Sequence, residues 1–112
     1  MLDTPLEAAA RKLSATLAPM RFAAPVSHVY NPFDYAWAGN AAYLRRFGQG
    51  PKRVVFVGMN PGPFGMVQTG VPFGEVAAVR DWMGIHAEIV PPAEQNPKRP
   101  IEIGRASCRE RG

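Results

Sequence analysis

A loop rich in glycine and proline, from Gly58 to Gly74, constrains the fold of this chain more than any other segment. It contains five glycines and three prolines, follows the apolar run 54–57 and precedes a helix-like stretch at 75–83. Because proline restricts the backbone, such a loop loses little conformational entropy when it becomes ordered. Glycine has no side chain, so a ligand can approach the backbone closely. One amide side chain, Asn60, lies where the apolar run ends. These features indicate a binding site rather than a simple connection.

The length of 112 residues allows one domain at most, and the 46% apolar content is sufficient for a globular core. No apolar run approaches the roughly 20 residues that span a bilayer, and the N-terminus lacks the apolar segment of a secretory signal. We therefore expect an intracellular protein, cytoplasmic in a bacterium or nuclear in a eukaryote. The net charge of +4 is compatible with a nucleic-acid partner without demonstrating one.

The last residues have a different character from the rest of the chain. Residues 102–111 resemble the translation of a short-read sequencing adapter, GAG ATC GGA AGA GCG TCG TGT AGG GAA AGA. We expect 1–101 to be the N-terminal portion of one domain, cut near Ile101, and 102–112 to be a non-native tail. Setting the tail aside removes three arginines and two glutamates, so the net charge falls to +3. It also removes Cys108, and with it any disulfide or cysteine-based metal site.

Two helices are predicted in the N-terminal half. Thr4 and Glu7 have the spacing of a capping box around Pro5, and apolar residues then recur at helical spacing at Leu6, Ala10, Leu13 and Leu17. A second, shorter helix is predicted over 40–47, ended by Gly48. The intervening residues 19–39 are expected to be mostly irregular.

The second half predicts part of an α/β fold. Residues 53–58 form a β-branched, continuously apolar run, which is typical of a strand buried on both faces of a parallel sheet. Val76, Val79 and Met83 follow the loop at helical spacing. In open α/β sheets ligands bind beyond the carboxyl ends of the strands, and Asn60 lies at that position.

The loop does not contain either common phosphate-binding pattern, GxxxxGK[ST] or GxGxxG. Backbone donors and one amide suit a neutral, planar ligand such as a nucleobase. The residues alone leave open both an enzyme and a small non-enzymatic α/β module that binds a nucleotide or anion. They also leave open whether Asn60 only begins an Asx-type turn before Pro61, and whether Phe73 is a core residue.

The loop and its surroundings nevertheless resemble a known family. Residues 58–66 (GMNPGPFGM) and 68–76 (QTGVPFGEV) are similar to the first motif of the single-strand-selective monofunctional uracil-DNA glycosylases. The similarity extends over residues 28–101 and includes 30–37 (YNPFDYAW) and 97–100 (PKRP). The resemblance implies that the chain is the N-terminal part of a three-layer fold with a central parallel sheet.

The resemblance implies an activity and a set of site residues. Such enzymes hydrolyse the N-glycosidic bond of uracil, and of some oxidised pyrimidines, in single- and double-stranded DNA, which initiates base excision repair. The resemblance implies a monomer that needs no metal or organic cofactor. Asn60 corresponds to the residue that positions the attacking water, and Phe73 to the ring that stacks on the flipped base. Met59, Gly62 and Met66 correspond to substrate-binding positions.

Other functional parts of that family occur later in its sequences, namely a second Asn that reads the uracil edge, the catalytic His segment and a DNA wedge. None is found in this chain, and neither His28 nor His86 belongs to the His segment. We therefore expect the chain alone to be inactive.

Overall fold

A computed structural model of the chain describes residues 3–101, so the predicted non-native tail at 102–112 lies outside the described residues. Four α-helices and one π-helical turn form the regular structure of this part: α1 (Pro5–Leu17), α2 (Pro32–Tyr35), α3 (Trp37–Phe47), α4 (Met66–Thr69) and the turn Ala78–Trp82. No helix of this part is long and apolar enough to cross a membrane.

The predicted capping box of α1 is confirmed. Thr4 Oγ1 accepts a hydrogen bond from Glu7 N at 3.3 Å, and Glu7 Oε1 accepts one from Thr4 N at 3.3 Å. Pro5 occupies the first turn, where its missing N–H has no intrahelical role. These local contacts are sufficient to set where the helix begins, which is why the sequence predicted it.

The face that α1 buries agrees only in part with the predicted one: Ala10 is buried as expected. Leu6 and Leu13 are each 45% exposed, whereas Glu7 is fully buried. Arg45, on α3, donates to Glu7 Oε2 from Nε at 2.9 Å and lies 2.7 Å from it through Nη2. These bonds lower the pKa of the Glu7 carboxyl to about 2 from its ordinary value of 4.5. An ion pair, rather than a leucine stripe, therefore joins α1 to α3.

The predicted helix over 40–47 is confirmed and is longer than expected. It begins at Trp37 and ends, as predicted, at Gly48, whose N–H donates to Leu44 O at 3.0 Å. The Arg11 guanidinium of α1 lies 4.2 Å from the centroid of the Trp37 ring, which adds a cation–π contact between the two helices.

The predicted central parallel sheet is wrong. Residues 3–101 contain no strand, and Val54–Val57 are 69 to 88% exposed. β-propensity describes a fit to a pleated, half-buried surface, and a strand forms only where a second backbone pairs with it. No backbone segment among the described residues pairs with 54–57, so the run remains extended and hydrated.

The core lies at the far end of the glycine-rich loop. Val71, Val79 and Ile85 are buried together, and Tyr43 of α3 packs against them. The helix predicted after the loop is present over residues 76–82, as two α-helical residues followed by the π-helical turn, in which Met83 N donates to Ala78 O at 2.9 Å. The C-terminal end of the loop is therefore packed on the core. Its N-terminal end, which follows the exposed run 54–57, is not.

Candidate active site

An open cavity of about 870 Å³ borders the glycine-rich loop. All five predicted site residues line it: Met59, Asn60, Gly62, Met66 and Phe73. Because the two ends of the loop face the same space, residues distant in sequence are brought to one cavity. The sequence did not predict two further lining residues, Leu13 of α1 and Phe33 of α2.

Hydrogen bonds within the loop close its second half into a tight turn. Thr69 Oγ1 donates to Gly74 O at 2.8 Å and accepts from Val71 N at 3.1 Å. Gly74 N donates to Val71 O at 2.8 Å. Gly70 has a φ of 77°, which glycine adopts at little cost. Residues 72 and 73 lie within this turn, so the turn determines where they meet the cavity.

Two side chains, one from α2 and one from α3, donate hydrogen bonds to the backbone of the glycine-rich loop. The Tyr35 hydroxyl donates to Val67 O, and Asn40 Nδ2 donates to Gly70 O at 2.9 Å. Burial raises the pKa of Tyr35, so its hydroxyl remains a proton donor throughout the ordinary pH range. Neither residue was predicted to support the site. The sequence signal that could have identified Asn40 is a single amide among the alanines and glycine at the start of α3. An amide in such a setting needs a hydrogen-bond partner once it is buried.

Asn60 is exposed at the cavity, with Nδ2 donating to Pro61 O at 3.2 Å. This bond leaves Oδ1 without a donor among residues 3–101, so it can accept a hydrogen bond from water. In an Asx-type turn the side-chain oxygen would instead accept from the backbone N–H of Gly62. The structure has that arrangement at Asn31, whose Oδ1 accepts from Phe33 N at 3.2 Å, and does not have it at Asn60.

Gly62 and Met66 both line the cavity. A Cβ added at Gly62 would meet no atom within 4 Å, so a flat ligand can approach this backbone. The Gly62 carbonyl accepts from Gly65 N at 3.2 Å and Val67 N at 3.0 Å. Within the described part of the chain the Met66 N–H has no acceptor, because it begins α4. It is therefore an available donor in the cavity wall.

Phe73 has an unusual backbone and an exposed ring. It is the one non-glycine among residues 3–101 with a positive φ, 57°, and it is 69% exposed. The ring lies across Gly58, where an added Cβ would come within 3.1 Å of Phe73 Cζ. Phe73 is therefore not a core residue. Its left-handed conformation costs roughly 1–2 kcal/mol and places the ring at the cavity.

We expect the Phe73→Gly change to leave the free energy of unfolding unchanged or to raise it by up to about 1 kcal/mol, because it relieves the left-handed strain and loses little burial. Phe64→Gly is the matched control, since Phe64 is 72% exposed, lines the same cavity and lacks a positive φ. It should lower stability by roughly 0.5–1 kcal/mol. Urea unfolding followed by circular dichroism measures both, and equal losses for the two variants would contradict the expectation.

One ionised group borders the cavity. The backbone N–H groups of Ala77 and Ala78 donate to the Glu75 carboxylate at 3.0 and 3.1 Å and hold its pKa below the ordinary value. No group of three or more His, Cys, Asp or Glu side chains in residues 3–101 could hold a metal ion. Among the described residues, the polar side chains of the cavity wall are therefore one amide, Asn60, and one carboxylate, Glu75, beside backbone groups.

Comparison with known proteins identifies curated relatives with similar sequences. The chain is 56% identical over 90 residues to the single-strand selective monofunctional uracil-DNA glycosylase of Rattus norvegicus. It is 54% and 52% identical, over 90 residues in each case, to the proteins of the same name from Mus musculus and Bos taurus. These alignments cover 80% of this chain and 32 to 33% of the relatives. No protein-family profile matches the chain.

The chain thus spans about a third of the length of the curated relatives that it matches. At more than 50% identity over 90 residues, the likeness predicted from the motif around Asn60 is confirmed. Over four fifths of its length, this chain is homologous to the single-strand selective monofunctional uracil-DNA glycosylases.

Proposed function

We propose that this chain is part of an enzyme that hydrolyses the N-glycosidic bond between uracil and deoxyribose in DNA. The names of its relatives support this activity. The observation that carries the proposal is the placement of Asn60 and Phe73 on one cavity. One residue offers a water-binding amide oxygen and the other an exposed aromatic face, and hydrolysis of a base from DNA requires both functions.

Phe73 and the loop backbone would bind the base. A glycosidic bond inside a duplex is inaccessible, so the nucleotide must leave the stack before the bond can be hydrolysed. The exposed Phe73 ring then replaces the stacking that the base has lost, a contribution of about 1–3 kcal/mol. The free N–H of Met66 would donate to a uracil carbonyl, while Gly62 leaves room for the ring and Met59 covers it.

Asn60 would position the water that completes the reaction. The bond between C1′ and N1 breaks with both electrons leaving on uracil, and the water oxygen bonds to the cationic C1′ and loses a proton to solvent. An amide is a poor base, so its contribution is orientation of the water through Oδ1. The remaining acceleration must come from hydrogen-bond donors that stabilise the uracil anion, of which the Met66 N–H is one.

The substrate range that we propose is uracil and oxidised pyrimidines, in both single- and double-stranded DNA, acted on by a monomer. The open mouth of the cavity supports this breadth, because a pyrimidine with an added polar group at C5 would meet solvent rather than a closed wall. Met59, which borders this mouth, is 98% exposed.

We also propose that residues 1–101 are the N-terminal portion of one glycosylase domain and that 102–112 are non-native. The 112-residue chain alone should release little or no uracil. Asn60 and Met59 are exposed to solvent at the cavity, and an exposed site weakens every electrostatic interaction that stabilises a leaving anion.

A segment exchange tests the proposed activity. The aligned 90 residues of this chain would replace their counterparts in the rat protein, and uracil release from a uracil-containing single strand would be measured. We expect a rate within about tenfold of the unmodified rat protein, or about 1.4 kcal/mol in barrier height. A correctly folded hybrid that binds the strand but releases no uracil would contradict the proposal and favour a binding module. Clear turnover by the 112-residue chain would contradict its proposed inactivity.

A further inference from the structure

We propose that Lys98 and Arg99 form a binding site for the phosphodiester backbone of DNA beside the pocket. The inference rests on the proposed function, since it assumes that DNA is the ligand. It concerns a segment outside the loop 58–74 and residues that do not line the cavity.

The segment that carries these two cations is an ordered turn. Asn96 Oδ1 accepts from Lys98 N at 2.9 Å, and Asn96 O accepts from Arg99 N at 2.9 Å. Gln95 Oε1 accepts from the backbone N–H of Ile101 at 2.8 Å, and the Ile101 side chain is 1% exposed. The backbone of the turn therefore has a defined conformation, and the two cationic side chains on it are exposed.

Two side chains hold this turn beside the wall of the pocket. The Tyr30 hydroxyl donates to Arg99 O at 2.9 Å and accepts from Asn96 N at 2.7 Å. Gln68 Nε2 donates to Pro63 O at 3.0 Å and to Pro100 O at 2.8 Å. Because one nitrogen contacts both carbonyls, the turn adjoins Pro63, which lines the cavity.

The charges of the turn are available to an anion. Lys98 and Arg99 are exposed, and within residues 3–101 neither forms an ion pair, whereas Arg11, Arg45 and Arg80 each pair with a carboxylate. The one hydrogen bond of the Arg99 guanidinium is from Nη1 to Lys98 O at 2.8 Å, which leaves its other N–H groups as donors.

A strand that places one base in the pocket must keep its phosphates outside, next to the rim. Arg99 is one peptide unit, about 3.8 Å, from Pro100, so a long cationic side chain there can reach the rim. Contacts of this kind fix the register of the strand without reading its sequence. Lys98 and Arg99 would thereby position the uridine for entry.

The test is binding of a labelled single-stranded oligonucleotide to the 112-residue chain, measured by fluorescence anisotropy over a range of salt concentrations. We expect Lys98→Ser/Arg99→Ser to weaken binding about tenfold at low salt and to reduce the slope of log K against log salt by about 1.4. Uracil- and thymine-containing strands should be affected alike. Lys98→Arg/Arg99→Lys, which keeps both charges, should bind as the unchanged chain does.

Arg21→Ser/Arg46→Ser is the charge-matched control, because it removes two exposed arginines that do not line the pocket. Equal loss of affinity in this control, or none in the Lys98/Arg99 variant, would overturn the proposal, as would the absence of salt-dependent binding by the unchanged chain. Failure of the proposed function would give a different result. The rat hybrid would then release no uracil, while the Lys98/Arg99 substitutions would still weaken binding to thymine-containing strands.

Discussion

The Asn60→Ala change, made in the rat glycosylase that carries the aligned 90 residues of this chain, is expected to lower uracil release at least about a hundredfold. Within residues 3–101 the side chain forms one hydrogen bond, to Pro61 O, and it is exposed, so its removal should disturb little packing and leaves no buried group unpaired. The loss should therefore occur in kcat, while affinity for the strand should change by no more than about twofold, because the same base and phosphate contacts remain. Single-turnover release of uracil, with anisotropy for binding, separates the two effects.

Gln49→Ala provides the matched control for Asn60→Ala. Gln49 is also an exposed amide, and it does not line the cavity, so its removal should leave the rate unchanged. Asn60→Asp should retain part of the activity, because a carboxylate oxygen can still orient water. If Asn60→Ala released uracil at the unchanged rate, the proposed role of Asn60 would be wrong. If binding fell together with the rate, Asn60 would be a base-binding residue instead.

Gly70→Ala is expected to have the largest effect on stability, a loss of roughly 3 kcal/mol. The left-handed φ of 77° costs a non-glycine residue about 1–2 kcal/mol. In addition, the new Cβ would lie 2.4 Å from Ala36 O and 3.1 Å from Asn40 N, both of them backbone atoms at the start of α3. Overpacking of this kind typically costs a further 1–3 kcal/mol. Urea unfolding followed by far-ultraviolet circular dichroism measures the loss.

Gly50→Ala separates the two contributions. Gly50 has a nearly identical φ, 78°, but an added Cβ there would meet no atom within 4 Å. It should therefore lose only the conformational part, about 1 kcal/mol. Equal losses at both positions would show that the close approach of Gly70 to α3 contributes nothing. Since Asn40 Nδ2 also bonds Gly70 O, the Gly70→Ala change should displace the pocket loop as well.

These contacts divide the pocket into a fixed half and an exposed half. The turn at 69–74 is held by Thr69 and Asn40, and it determines the position of Phe73. Asn60, in contrast, follows the exposed run 54–57, and its side chain forms one hydrogen bond within residues 3–101, to its neighbour Pro61. The Phe73 ring is therefore positioned in advance, whereas the amide at Asn60 is held only locally.

Two helix boundaries, the start of α1 and the end of α3, could be predicted from sequence because the interactions that set them are local, whereas α2 and the start of α3 were not predicted. The Thr4–Glu7 capping box and the terminating Gly48 act within one turn of the residues that they affect. The buried face of α1 could not be predicted in this way. Glu7 is buried because Arg45 reaches it from another helix, and no pattern within α1 indicates that partner.

The sheet was predicted wrongly for a related reason. The apolar, β-branched run 54–57 has a preference for extended backbone, and that preference was interpreted as a buried parallel strand. Pairing requires hydrogen bonds to a second backbone segment, which residues 3–101 do not provide. The five predicted site residues, however, do line one cavity, because the turn at 69–74 brings the second half of their loop to the space that its first half borders.

The sequence by itself determined which known proteins this chain resembles, where its first helix begins, where α3 ends and which five loop residues line the candidate pocket, since each depends on residues adjacent along the chain. Tertiary structure alone decided that Glu7 is buried, that 54–57 is unpaired and that Tyr35, Asn40 and Gln68 hold the pocket loop. These features depend on partners about thirty or more residues away, whose approach is determined by packing and hydrogen bonding rather than by local pattern.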